Sequence, residues 1–396
     1  MTRNRYRAAA RMPPPFWLLA AITMTGTAAL HIFIPALPAI ATAFKTSQHT
    51  AQLTITLYLV GMALGQLVYG PLSDRFGRRP ILIWSQAIYL SGLLLALVAP
   101  SIGILLAARI LQSVGSCGAL VLGRAMVRDV AGSQNAARQL ATLGLIMAIT
   151  PAVSPAVGGL VSVWLGWRAI FALLALIVSM LLIIVLKRLP ETNVAKISLP
   201  GPLALLMGYV TLWRTPSFRR FTIAGACSAT SLYGFFAAAP FLLTRTMHQP
   251  PESVGFYCLL TVIGMMTGSF AARQMARRVS IIRAARLGNT LCVSSAVALS
   301  LISLTNQLNI FSLMAPLVTY AVGVGIVSPN TLAGLMNTHP ERAGAASSLY
   351  GFLQMACGAL FTLFVSTQYV APAFPVALSL LAASCCAALV LGRLRS

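Results

Sequence analysis

The chain has 396 residues, 58% hydrophobic and 8% charged, with five Asp and Glu against 28 Lys and Arg and a formal net charge of +23. Soluble domains carry about 25% charged residues, so charges this sparse cannot cover a water-facing surface, and a mean hydropathy of +0.86 points to lipid as the main solvent. The five acids are too few for a carboxylate catalytic pair, no hydrolase, kinase or metal-ligand spacing is present, and no cofactor is implied.

Residues 1–15 form a basic N-terminal segment with Arg3, Arg5, Arg7 and Arg11. The apolar run that follows from Phe16 is longer than the core of a secretory signal and lacks a small-x-small cleavage site, so it is read as an uncleaved first span. A spanning helix needs roughly 20 predominantly apolar residues. That criterion predicts spans near 16–40, 50–72, 80–99, 102–125, 138–163, 168–187, 220–243, 253–275, 284–305, 309–335, 343–366 and 373–392. Ala99-Pro100-Ser101, Asn306-Gln307 and Ala371-Pro372 supply turn chemistry between them. The longest polar interval, 188–219, divides the chain into an N-terminal bundle of six spans (16–187) and a C-terminal bundle of six (220–396). Inside it, Leu199–Trp213 is apolar but short, and reads as an interfacial helix. The seven Cys are scattered through apolar stretches without a CxxC and read as small buried hydrophobes.

The basic residues set an orientation. With the N-terminus inside, 24 of the 28 fall on the termini and the even-numbered connections, leaving Lys45, Arg109, Arg168 and Arg245. This is the positive-inside pattern, and it predicts a multi-pass membrane protein with both termini cytoplasmic. It also excludes nucleic acid as the partner, because the charge is spread through short loops on one face of a membrane. Gly70-Pro-Leu-Ser-Asp-Arg-Phe-Gly-Arg-Arg79 after span two is echoed by Gly268-Ser-Phe-Ala-Ala-Arg-Gln-Met-Ala-Arg-Arg278 after span eight, as expected of a transporter built from two repeats.

Gly70–Arg79 resembles the signature G-x-x-x-D-R-x-G-R-R of the major facilitator superfamily. Arg109-Ile-Leu-Gln-Ser-Val-Gly115, Pro151-Ala-Val-Ser-Pro-Ala-Val-Gly-Gly159 and Gly166-Trp-Arg-Ala-Ile-Phe171 are similar to stretches of its twelve-span drug:proton antiporters. Ile34-Pro-Ala-Leu-Pro38, Val127-Arg-Asp129 and the run Gly344–Gln354 resemble the bicyclomycin/chloramphenicol-resistance branch. The resemblance covers nearly the whole chain. It implies an all-α membrane fold of two pseudo-symmetric six-helix bundles and a monomer of a bacterial inner membrane exporting small organic molecules by proton antiport.

It also implies roles for residues. A cytoplasmic latch is expected from Gly70, Asp74, Arg75, Gly77, Arg78, Arg79, Arg128 and Asp129, with Arg78 able to form a bidentate pair with Asp129 and Asp74 able to accept from a facing helix N-terminus. Pro151, Pro155, Gly158 and Gly159 are expected to form a hinge and a tight seal. A central cavity is expected around Arg109, a charge placed inside a span, with His31, Gln112, Tyr58, Tyr233, Asn330, Tyr350 and Gln354. At the position of His31 drug-exporting relatives often carry an acid, and no Asp or Glu remains in any span core of this chain. The proton carrier is then His31, whose side chain titrates near neutrality, or Asp129, or the cargo itself; alternatively His31 is a hydrogen-bonded core residue. Without a carboxylate the cavity suits neutral, zwitterionic or anionic cargo over cations, phenicol-like drugs and carboxylate siderophores included. A facilitator on the same scaffold is the second expectation.

Overall fold

The computed structural model describes residues 14–193, 202–305, 308–339, 342–367 and 373–394. The basic segment with Arg3, Arg5, Arg7 and Arg11, residues 194–201 of the interdomain connection, the Asn306-Gln307 and Ala371-Pro372 turns, and Arg395 lie outside them. Twelve helices among the described residues are long and apolar enough to cross a membrane: Phe16–Ala43, Gln48–Phe76, Arg78–Leu97, Ile102–Ala131, Arg138–Leu165, Arg168–Arg188, Pro216–Thr246, Ser253–Met275, Ile281–Leu304, Ile310–Thr338, Gly344–Ser366 and Ala373–Gly392. These are spans one to twelve below. Large apolar side chains face outward along them, with Trp84, Trp164, Leu165 and Phe311 all more than two-thirds exposed. That surface is stable only against hydrocarbon.

The pairings show two copies of one arrangement. Span three packs on spans four and six, as span nine packs on spans ten and twelve; span two packs on span four, as span eight packs on span ten. The halves meet through span two against span eleven and span five against span eight. Each of these cross-pairs maps onto the other when six is added to or subtracted from the span numbers, which is the mark of a pseudo-twofold axis. Consecutive spans with short connections alternate in direction, so the arginine-bearing connections share one end of the molecule, here termed the arginine-rich end.

The clearest differences from the sequence reading lie at two boundaries. Residues 102–165 are helical throughout, with no loop around 126–137. Arg124 Nη2 nonetheless lies 3.8 Å from Met147 Sδ. A straight helix would separate those residues by about 35 Å at 1.5 Å per residue, so the helical path folds back there and spans four and five lie side by side. Span seven begins at Pro216 instead of 220, because Pro is well suited to the first helical turn, where its missing N–H has no partner to lose. Within the expected interfacial segment Leu199–Trp213, residues 199–201 lie outside the described residues, and Pro202–Arg214 is helical.

Small residues allow the close packing that a lipid-embedded bundle needs in place of a hydrophobic driving force. In span four, Ser113, Ser116 and Cys117 meet spans one and two, and a Cβ on Gly115 would collide with the backbone of Ser85 and Tyr89 in span three. Gly115→Val is therefore expected to destabilise the N-terminal half by about 1–3 kcal/mol, the usual effect of overpacking. Thermal unfolding of the detergent-solubilised protein measures it, and an unshifted midpoint would mean that spans three and four are not packed this closely.

Candidate functional site

Arg109 is fully buried in span four. Its guanidinium carbon lies 4.4 Å from the ring centroid of Phe33 and 4.3 Å from that of Tyr58. Nη1 donates to Gln112 Oε1 at 2.8 Å, and longer bonds reach the carbonyls of Ala29 and Thr54. Gln112 in turn donates to the Gly92 carbonyl, and the Tyr58 hydroxyl shares a 2.6 Å bond with Ser116. The charge is thus held by two aromatic faces and oriented carbonyls, and no carboxylate pairs with it among the described residues. Arg109 does not snorkel. Tyr58 and Gln112 are also fully buried, so these three expected cavity residues form a polar core joining spans one to four and are not open to a cavity in this conformation.

His31 ends the first helix of span one, where Pro35 and Pro38 interrupt regular α-helix and Ile34–Ala36 forms a 3₁₀ turn. Its ring reaches across to the other half, 6.1 Å from the rings of both Tyr233 and Phe236 in span seven. Nδ1 lies 2.9 Å from the Thr27 carbonyl. A carbonyl only accepts, so Nδ1 carries the hydrogen and Nε2 holds the free lone pair. Tyr233 is half-buried and lies over Gly358 of span eleven. Asn330 bonds the carbonyl of its own Ile326. Tyr350 packs near Gly225 and Thr331, and Gln354 is half-buried. The structure therefore brings together His31 with Tyr233, and separately Tyr58 with Arg109 and Gln112, while Asn330 belongs to packing within the second half and Tyr350 also lies within electrostatic reach of Arg124 of span four.

Several seam residues were not anticipated. Gln52 Nε2 donates to the Ala237 carbonyl at 3.0 Å, Thr56 and Thr362 share a 2.9 Å hydroxyl bond, and His49 Nδ1 lies 3.0 Å from the Ser366 carbonyl. All three cross from span two to the second half, away from the arginine-rich end. The signal was present: positions 49, 52 and 56 are spaced to share one helical face.

At the arginine-rich end Arg78 is the centre. Nη1 contacts Asp74 Oδ1 at 2.6 Å and Ser73 Oγ at 2.5 Å, while Nε meets Asp129 Oδ2 at 3.0 Å. Arg128 Nε stands 4.0 Å from Asp129, and Arg75 is placed over the ring of Phe76. Gly77 turns the chain between spans two and three with φ of 105°, a backbone that side chains rarely adopt. Glu191, beyond span six, accepts from the backbone N–H groups of Arg78 and Arg79 at 2.8 and 3.2 Å. It caps the start of span three, where the helix dipole favours an anion, and its carboxylate fills the place a Cβ on Gly77 would take. Arg79 also donates to the Leu186 carbonyl, and Asn193 to that of Asp74. The Asp74 carboxylate pairs with Arg78, and among the described residues it makes no bond to a second-half helix. Gly70 lies beside Ser348 of span eleven.

Pro151 and Pro155 lie within span five. Gly158 packs on the Ile32 carbonyl just after His31, Gly159 lies beside Pro35 and the Glu252 carbonyl, and Pro155 and Ala156 pack on Gly255 of span eight. Among the described residues no cluster of His, Cys, Asp and Glu is placed to hold a metal ion.

The family profile described as Major Facilitator Superfamily matches residues 16–362. The chain is 32% identical to a "Chloramphenicol resistance protein" of Pseudomonas aeruginosa, an alignment covering 91% of this chain and 84% of the relative. It is 26% identical to a "Bicyclomycin resistance protein homolog" of Haemophilus influenzae, covering 90% of each. It is 24% identical to "Multidrug resistance protein D" of Escherichia coli, covering 85% and 84%. In fold it is similar to a D-xylose-proton symporter, with a TM-score of 0.73, 15% identity and 95% of each chain covered. A human organic anion transporter shares the fold at a TM-score of 0.68 and 19% identity, over 95% of this chain and 97% of that one. Two repeated six-span halves, the loop signature after span two and these matches agree, and the chain belongs to the major facilitator superfamily, a family of membrane transporters and not of enzymes.

Proposed function

We propose that the protein exports small organic molecules from a bacterial cell in exchange for protons, as a monomer in the inner membrane with both termini cytoplasmic, by rocking one six-span half against the other. Drug resistance in the names of three relatives supports export. The observation that carries the mechanism is the placement of His31, the titratable side chain that faces the second half at Tyr233 and Phe236 with its Nε2 lone pair free. A hydroxyl or amide donor on a neutral cargo hydrogen-bonds to that nitrogen. Protonation converts the acceptor into a donor and ends the bond, so proton and cargo compete, as antiport requires. Arg109 anchors the wall behind this site and adds a positive field, which disfavours cations.

An acidic cargo behaves differently, because an anion favours the protonated ring and binds together with the proton. The absence of a span-one acid therefore supports a second reading, a siderophore or other metabolite exporter or facilitator without conventional proton antiport. Tyr350, Asn330 and Gln354 enter the cargo path when the halves rock apart at the arginine-rich end.

The Arg78 network with Asp74 and Asp129 is proposed as the latch of that end, and Pro151, Pro155, Gly158 and Gly159 as the hinge and seal beside His31. Glu191 belongs to the latch, since it holds the backbone from which Arg78 projects.

His31→Gln preserves hydrogen bonding but removes the proton site. It is expected to abolish transport driven by a pH gradient in proteoliposomes while downhill movement of a neutral phenicol persists; undiminished pH coupling would shift the proton to Asp129 or the cargo. Asp74→Asn is expected to leave the protein in the membrane and slow export about tenfold or more, as for loss of a charge-assisted contact of roughly 1.5–3 kcal/mol. Export at the normal rate would remove Asp74 from the latch.

A further inference from the structure

A cavity of about 610 Å³ lies away from the seam, at the arginine-rich end of the second half. The starts of spans seven and nine and the end of span twelve meet there, and its lining is Ser217, Arg220, Phe221, Ile282, Arg393 and Leu394. Two guanidiniums and a hydroxyl thus stand over three apolar side chains. No carboxylate is among the lining residues. Among the described residues, Asp74, Asp129 and Glu191 lie with the first half, and Glu252 belongs to the connection between spans seven and eight at the other end; Glu341 lies outside them.

The rim is firmly built. Arg220 Nη1 donates to the Arg393 carbonyl at 2.7 Å, which fixes the guanidinium and leaves its other N–H groups for a ligand. Arg286 donates to the carbonyls of Leu391, Gly392 and Leu394 and so holds the last turn of the chain in place. Span seven starts here without a side-chain cap, because the Thr215 hydroxyl is engaged by His339, and its positive dipole end adds to the field. Among the described residues no carboxylate pairs with Arg220 or Arg393; like charges gathered in this way repel one another, and an anion relieves that repulsion. Forked N–H donors match phosphate oxygens, and the apolar side chains match an attached hydrocarbon.

We propose that this cavity binds a phosphate group, carried by an anionic phospholipid of the adjoining leaflet or by a soluble phosphate. Arg220 and Arg393 grip the phosphate oxygens, and Phe221, Ile282 and Leu394 receive the start of the acyl region. Occupation ties together the ends of spans seven, nine and twelve.

The full-length protein in neutral detergent is titrated with phosphatidylglycerol, phosphatidylcholine and inorganic phosphate, read by native mass spectrometry and by the thermal midpoint. Phosphatidylglycerol is expected to bind in preference to phosphatidylcholine, and Arg220→Gln and Arg393→Gln each to weaken it about fivefold, the share of one basic side chain at an anionic surface. Arg393→Gln keeps the carbonyl that Arg220 uses, so its effect separates ligand loss from unfolding. An arginine-dependent shift with inorganic phosphate in place of the lipid supports the phosphate site and assigns it a soluble source. Equal retention of the two lipids with no response to phosphate, or binding unchanged in both variants, overturns the proposal.

Discussion

A guanidinium buried among helices at membrane depth, with no carboxylate pairing with it among the described residues, is the constraint around which the N-terminal half is built. An unpaired charge in the hydrocarbon region is expensive unless the protein supplies polarity of its own. For Arg109 that polarity comes from all of the first four spans: Phe33 and Ala29 of span one, Tyr58 and Thr54 of span two, Gln112 of span four, and through Gln112 the Gly92 carbonyl of span three. Close helix approach is what brings those carbonyls within reach, so the small residues of span four and the charge of Arg109 are two sides of one arrangement. Remove the tight packing and the charge loses its partners; remove the charge and the buried Gln112 and the carbonyls lose a donor.

Arg78 solves the opposite problem. It lies at a membrane edge and is paired with two carboxylates, Asp74 and Asp129, whose own exposure differs. Two acids around one buried arginine leave a net negative cluster surrounded by exposed cations. Such a cluster is sensitive to any shift of span two relative to span four, because the bonds are short and directional. Glu191 adds a constraint from span six, so spans two, three, four and six are linked at one end by charge. Only three of the five acids of the chain are needed to build this end, and the midplane is left with imidazole, guanidinium, phenol and amide.

The spans were legible because hydropathy over about 20 residues is a strong signal, and the bounds agree within a few residues except where helix continues through a turn at 126–137 and at Pro216. The loop signature was legible because its charges are crowded into ten residues. Glu191 was not, since its partners lie more than 100 residues earlier and a lone acid after a span carries no local pattern. The environment of Arg109 was only partly readable: periodicity marks the residue as intramembrane, but whether Tyr58 and Gln112 face a cavity or enclose the arginine depends on how four helices meet. Asn330 shows the same limit, as its amide is satisfied by its own helix.

The seam itself is asymmetric, and the asymmetry bears on how the halves can move. Away from the arginine-rich end, span two is bonded to the second half by Gln52, Thr56 and His49, and span five packs backbone-close on span eight at Pro155 and Gly255. At the arginine-rich end the described polar bonds of Asp74, Arg78 and Asp129 remain within the first half, and the approach to the second is made by Gly70 beside Ser348 and by Gly351 against Gln66. Neutral hydrogen bonds of this kind are worth about 0.5–1.5 kcal/mol each, so the three at the far end hold the halves together by only a few kcal/mol. His31 sits next to this set, just before the Ile32 carbonyl on which Gly158 packs. Its ring meets Tyr233 and Phe236 of span seven, so this end of the seam combines aromatic contacts, hydrogen bonds and close backbone packing in one layer.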